Sequence, residues 1–322
     1  MSIHTSSYHR AESADPADLN TSSRRQFLGQ CTAGAATGLI GSIVGAPRAT
    51  AIEPIQRQGE PAFRFSLAAY SYRDLLAGKQ SKMTMEDFVV ACAKLPLEGT
   101  ELTSYYFPKE ITPDYLRGLK QLCFRLGLDI SGTAVGNEFC LPPGAKRDEQ
   151  IAHVKRWIEY AEILSAPVIR IFSGSAAAGQ DPAEARRLAV EAMEECCAYA
   201  GQHGVYLALE NHGGLTATAE GMLALVRDVK SPWFAVNLDT GNFNSDDPYA
   251  DLAKLAPYAV NVQVKVSMRP GGRGKQPADF GRLAQIMRDA GYRGYIVLEY
   301  EEPEDPLVAC PRYIDELRKA FG

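Results

Sequence analysis

The chain is 322 residues long, carries a formal charge of -5 and is 46% hydrophobic. Its pI near 5.7 speaks against a nucleic-acid-binding surface, which usually shows a basic patch or a raised pI, and the composition is that of a soluble globular protein.

The first segment in chain order does not belong to a fold. A polar leader runs to Ser23-Arg24-Arg25-Gln26-Phe27-Leu28-Gly29, followed by the weakly apolar CTAGAATGLIGSIVGA and then Ala49-Thr50-Ala51. Paired arginines, a Gly/Ala-rich apolar segment and an A-x-A site read as a twin-arginine export signal over residues 1–51, cleaved after Ala51. A retained anchor is the alternative, but the stretch falls short of the roughly 20 apolar residues that a span needs. The expected location is therefore periplasmic or extracellular, with no stable membrane association after cleavage. Cys92, Cys123, Cys140, Cys196, Cys197 and Cys310 remain in the mature chain without a C-x-x-C, so they read as small buried apolar side chains rather than zinc ligands or a disulfide framework.

A linker over residues 52–61 leads into one rhythm that fills residues 62–322: a short β-branched run, a polar loop, then a helical pattern closed by Gly. The runs are FRFSLAAYSY, GTELTSYYF, LDISGTAV, PVIRIF, VYLALEN, WFAVNLD, VNVQVKV and YIVLEY, eight in all. Between them, segments such as DEQIAHVKRWIEYAEIL and ADFGRLAQIMRDAGYRG repeat apolar residues every three or four positions. One helix is predicted to open with Asp181 as N-cap, Pro182 at its first position and Glu184 completing a capping box, and to stop near Gly204. Eight β-then-α units in this length match the roughly 250 residues of a closed (β/α)8 TIM barrel. An open doubly wound sheet is the runner-up, disfavoured by the absence of a glycine-rich phosphate loop after the first strand.

In such a barrel, catalytic groups sit at the C-terminal strand ends and side chains alternate between interior and helix layer. With Leu207, Leu209, Val236, Leu238, Ile296, Leu298 and the valines of VNVQVKV outward, Glu210, His212, Asp239, Gln263, Lys265 and Glu299 point inward. Three carboxylates and an amide on one rim need compensation. A divalent cation, neutralisation by Lys265 and Arg269, or separation by water would each supply it, and the oxygen-rich set favours the cation. Arg170, at the inner end of PVIRIF, is either a substrate contact or an internal salt-bridge partner. Tyr70, Tyr105 and Phe139 either stack on a ligand or pack in the core.

Four motifs now stand in order: Leu209-Glu210-Asn211-His212, Leu238-Asp239-Thr240-Gly241-Asn242, Gln263-Val264-Lys265, and the run from Gly291-Tyr292 to Leu298-Glu299-Tyr300. From about Phe63 onward the chain resembles the xylose isomerase-like TIM-barrel superfamily, which holds sugar phosphate isomerases and epimerases, inosose dehydratases and family 2 AP endonucleases. The resemblance implies one divalent metal, Mn2+ first and Mg2+ or Co2+ next, on Glu210, Asp239, Gln263 and Glu299. It also implies acid and base roles for Glu210 and Glu299, and substrate contacts from His212, Asn242, Lys265 and Arg269. Two positions depart from the family: Gln263 and Asn242 stand where histidines are usual. With imidazole so scarce, a multi-zinc endonuclease is set aside.

The expected activity is sugar isomerisation or epimerisation by proton abstraction beside a carbonyl, through an enediolate. Elimination from a 3-keto-glycoside and a non-catalytic sugar-binding barrel are the alternatives. The expected partner is a small sugar or keto-glycoside, with no nucleic acid, and the sequence leaves a homo-oligomer open.

Overall fold

The computed structural model describes residues 52–78 and 81–322, so the expected signal segment lies outside the described residues. Eight parallel strands close into a barrel: β1 (Ala62–Ala68), β2 (Gly99–Thr103), β3 (Asp129–Ala134), β4 (Val168–Ile171), β5 (Tyr206–Glu210), β6 (Phe234–Asp239), β7 (Ala259–Val264) and β8 (Arg293–Leu298). Each pairs with the next, and β8 closes on β1 from Ala62↔Arg293 to Leu67↔Leu298. The helices that follow them are α1 (Met85–Cys92), α2 (Pro113–Arg125), α3 (Ala145–Leu164), α4 (Pro182–His203), α5 (Ala219–Asp228), α6 (Pro248–Leu255), α7 (Phe280–Asp289) and α8 (Pro306–Phe321). The (β/α)8 expectation therefore holds. Among the described residues, the rhythm is interrupted by a short extra helix, Arg73–Leu76, between β1 and α1, and by the excursion between β7 and α7, with two short antiparallel strands, Ser267–Met268 and Gln276–Pro277.

The strands are apolar on one face because that face carries the helices. Leu207, Leu209, Val236, Leu238, Val262, Val264, Ile296 and Leu298 are fully buried in one layer with the helix side chains. Inside the barrel, Ala68, Tyr295 and Val297 make only a small apolar patch. Much of the remaining interior is polar, and two β-bulges mark where it is built. One lies between Thr100 and Glu101 against β3, the other between Val236 and Asn237 against β7. Bulges re-aim side chains beside functional sites, and here each precedes a residue of the interior network.

Two local expectations need correction. Asp181 does cap α4, its Oδ1 accepting from the Ala183 N–H at 3.2 Å, and Gly204 ends that helix at φ 67°, a left-handed turn that favours glycine. Glu184, however, turns outward to pair with Arg187, so no capping box forms there. The box forms instead at α1, where Thr84 and Asp87 satisfy each other's backbone N–H. The FRFSLAAYSY and GTELTSYYF runs also outlast their strands, because Ala69–Tyr72 and Ser104–Tyr106 turn as short 3-10 segments at the rim. Tyr72 stays apolar by packing on Phe88 at 5.5 Å.

Candidate active site

The C-terminal strand ends surround a cavity of about 180 Å³, lined by Tyr70, Tyr105, Arg170, Phe172, Glu210, His212, Lys265, Glu299 and Glu301. A larger groove of about 500 Å³ at the opposite end, around Arg117, Phe124 and Leu128, is mostly apolar. The two glutamates expected to act as acid and base, Glu210 and Glu299, line the first of these, at the end of the barrel where such folds carry their active sites.

Glu210 is held from two sides. Its Oε2 lies 2.9 Å from Arg170 Nε, and its Oε1 accepts from Asn242 Nδ2 at 2.9 Å. Arg170 is itself buried, donating to the Val135 carbonyl at 2.8 Å and lying 4.0 Å over the Phe172 ring. Of the two roles considered for it in the sequence, the internal salt bridge is present, and the side chain also lines the cavity. Burial pushes the Glu210 carboxyl up to about 7, with Arg170 opposing the shift.

Asp239 and Glu299 converge on one ammonium. Lys265 Nζ donates to Glu299 Oε2 at 2.6 Å and lies 3.1 Å from Asp239 Oδ2 and 3.0 Å from Glu301 Oε1. Burial opposes the charge on Lys265, but the three carboxylates outweigh it and hold its pKa well above the ordinary lysine value. Burial likewise pushes Glu299 up, and Lys265 and then Arg170 reverse this to hold it below the usual range. Asp239 is fully buried and raised by desolvation. Its backbone is fixed by Asn211, whose side chain accepts from the Asp239 N–H and donates to its carbonyl, both at 2.9 Å.

Gln263 points inward but sits deeper. Its Nε2 donates to Glu101 Oε1 at 2.7 Å and its Oε1 accepts from Asn237 Nδ2 at 2.6 Å. Asn261 completes the layer, bonding Glu101 Oε2 and Asn237 Oδ1 at 2.8 Å each. Glu101 is fully buried, and desolvation, followed by the Glu299 charge, pushes it up to about 7. The amide and the charge in VNVQVKV are thus answered by acids, Gln263 by Glu101 below and Lys265 by three carboxylates above.

A profile of the xylose isomerase-like TIM barrel family matches residues 89–317. The chain belongs to that family. Solved barrels of similar fold include a D-psicose 3-epimerase from Clostridium cellulolyticum H10, with a TM-score of 0.67 at 16% identity over 80% of this chain and 99% of that one. A 3-keto-D-glucoside 4-epimerase from E. coli gives 0.64 at 13% identity, over 81% and 100%. A probable 3-DHS dehydratase from Bacillus anthracis gives 0.57 at 19% identity, over 80% and 97%. At these identities the likeness is one of fold. No curated protein sequence is significantly similar to the chain.

In this xylose isomerase-like barrel, the predicted Arg170, Glu210, His212, Lys265 and Glu299 all line the cavity, with Asn242 behind Glu210 and Asp239 beside Lys265. His212 leans on Phe172 at 4.5 Å between ring centroids. Partial desolvation and then the Arg170 and Lys265 charges hold it below the ordinary histidine range. Arg269 is not brought in: it is exposed on the β7–α7 excursion, where strand parity no longer applies. Phe139 is core, whereas Tyr70 and Tyr105 line the cavity. Glu101, Asn237 and Glu301 were missed. Glu101 could have been found by the signal that singled out Lys265, a charge inside a run of strand residues.

Proposed function

We propose that this barrel is an isomerase or epimerase acting on an uncharged sugar or keto-sugar, with Glu210 and Glu299 moving a proton on and off the carbon beside a carbonyl. The carrying observation is that both carboxylates line one cavity of monosaccharide size, each held by its own donor, Arg170 and Asn242 for Glu210 and Lys265 for Glu299. Orientation by fixed donors is what proton transfer at carbon needs, since a positioned acid or base contributes on the order of 10²- to 10⁴-fold. Arg170 and Lys265, the cations lining the cavity, are both engaged by carboxylates, which favours a neutral ring over a phosphate ester. The aromatic walls of Tyr70, Tyr105 and Phe172 suit the apolar face of such a ring. Epimerases among the similar folds support the same reaction class.

A divalent cation, Mn2+ first, is part of this reading, with Glu210, Asp239, Gln263 and Glu299 as its holders. Among the described residues, no three His, Cys, Asp or Glu side chains are arranged to hold a metal ion; the three carboxylates that do meet, Asp239, Glu299 and Glu301, close on the Lys265 ammonium. The chemistry of the set nevertheless fits. Glu210, Asp239, Glu299 and Glu301 face only Arg170 and Lys265, which leaves a surplus of two negative charges if all are ionised. Buried Asp239 Oδ2 also makes no hydrogen bond of good geometry. Gln263 is the weakest of the four, since its oxygen already accepts from Asn237. When bound, such an ion supplies Lewis-acid polarisation of a carbonyl and its neighbouring hydroxyl. Export to the periplasm or beyond, from the Arg24-Arg25 signal, completes the reading.

Elimination from a 3-keto-glycoside is the second reading. It is favoured by a cavity of one-ring size whose rim groups His212 and Glu301 reach solvent, so that an aglycone would extend outward. Proton exchange tests both. Incubation with ketoses and 3-keto-glycosides in deuterated water should label the carbon beside the carbonyl, and Glu210→Gln or Glu299→Gln should lower the rate by about 10²-fold or more. Undiminished exchange in both variants overturns the assignment. A released aglycone selects elimination.

A further inference from the structure

Lys265 is built into the acid cluster more firmly than a passing salt bridge requires. Its backbone N–H donates to Thr240 Oγ1 at 3.0 Å. Its stem lies against Gly241 so closely that a Cβ at 241 would stand 2.9 Å from Lys265 Cβ and Cδ. The stem is thus held while the tip reaches three carboxylates of unequal exposure. Asp239 and Glu299 are buried, whereas the Glu301 side chain is 33% exposed. Asp239 Oδ2 has no hydrogen bond and only the ammonium charge for compensation.

Asp239 and Glu299 are two of the oxygen donors that the cation reading requires, and Glu301 is not. An ammonium and a divalent ion repel each other too strongly at contact distance to share the same two carboxylates. We infer that Lys265 is the resident counter-ion of Asp239 and Glu299, that a divalent cation binds by displacing it, and that Glu301 receives the displaced ammonium. The inference rests on the cation reading above. Ion affinity is then set by the difference between two occupants of one acid pair, and occupation by the ion swings the ammonium toward the solvent side of the cavity.

Calorimetric titration of Mn2+ into metal-stripped protein tests this in the parent, Lys265→Met, Glu301→Gln and the double variant. Lys265→Met should bind Mn2+ about tenfold more tightly or better, because no cation has to leave, and Glu301→Gln should bind more weakly. Glu301→Gln also removes a nearby negative charge, so the cycle decides. In the Lys265→Met background its cost should largely vanish, because no ammonium remains to be received. An equal cost in both backgrounds overturns the role of Glu301. Folded Lys265→Met with parental affinity overturns the displacement while leaving the cation reading intact. Absence of Mn2+ binding in the parent and in Lys265→Met removes the cation reading, and this inference with it. Should Lys265→Met fail to fold, unchanged affinity in Glu301→Gln is by itself sufficient to overturn the inference.

Discussion

Glu101 shows how much one buried carboxyl can shape the energetics of the barrel. Its pKa is raised to about 7 from an ordinary 4.5, with desolvation the leading cause. Between those values the native state keeps a proton that the unfolded chain has released, so stability falls as pH rises through the window and levels off above it. The expected span is about 3 kcal/mol at most. Denaturant unfolding of the parent and of Glu101→Gln at pH 5 through 8 should show the variant gaining on the parent by up to that amount, and a pH-independent difference would refute the shift. Residues of this kind set the limit of what was legible. Parity found Glu210, Asp239, Gln263, Lys265 and Glu299 because each stands at or just past a strand end among outward aliphatics. It could not see that the acceptors sharing this interior, Glu101 and Glu301, arrive from β2 and the segment after β8, since cross-barrel pairing leaves no trace in local spacing. Arg269, read as a second cation for the acids and, through the resemblance, as a substrate contact, lies beyond Val264, where β7 has ended, so no strand aims it at the cavity.

At the level of elements, all eight strands were legible because buried parallel strands are apolar runs and the helices between them carry a different period. Their ends were less so. Tyr70, Tyr105 and Tyr106 continue the apolar pattern of β1 and β2 while turning at the rim, because a cavity wall and a strand use similar residues. The capping signals illustrate a related ambiguity. Thr84 with Asp87 and Asp181 with Glu184 look alike in sequence, yet only the first pair is reciprocal. Thr84→Ala should therefore cost about 1 kcal/mol in chemical denaturation, through loss of the cap on α1. Glu184→Ala should leave the unfolding midpoint near the parent's, because an exposed pairing within one helix contributes little. Equal losses in the two variants would mean that Glu184 caps α4 after all.

For the whole molecule, the proposed export route and the interior make compatible demands. Cys92, Cys123, Cys140, Cys196, Cys197 and Cys310 are all buried and unpaired, and burial raises each thiol, so a chain that crosses the membrane already folded would carry protected cysteines into an oxidising compartment. Replacing Arg24 and Arg25 with Lys should leave precursor in the cytoplasm in a fractionation experiment, and unchanged export would refute the signal. The interior network has a consequence of another kind. Asn261 and Gln263 reach Glu101 across sequence separations of 160 and 162 residues, so these bonds exist only in a finished ring of strands. Before β7 arrives opposite β2, Glu101 can stay hydrated. Closure dehydrates it and supplies its partners in a single event. A fragment ending before β7 would have to leave that carboxyl wet or bury it without these partners, so arcs of the barrel gain little by forming alone, and the polar interior makes folding of this barrel more nearly all-or-none.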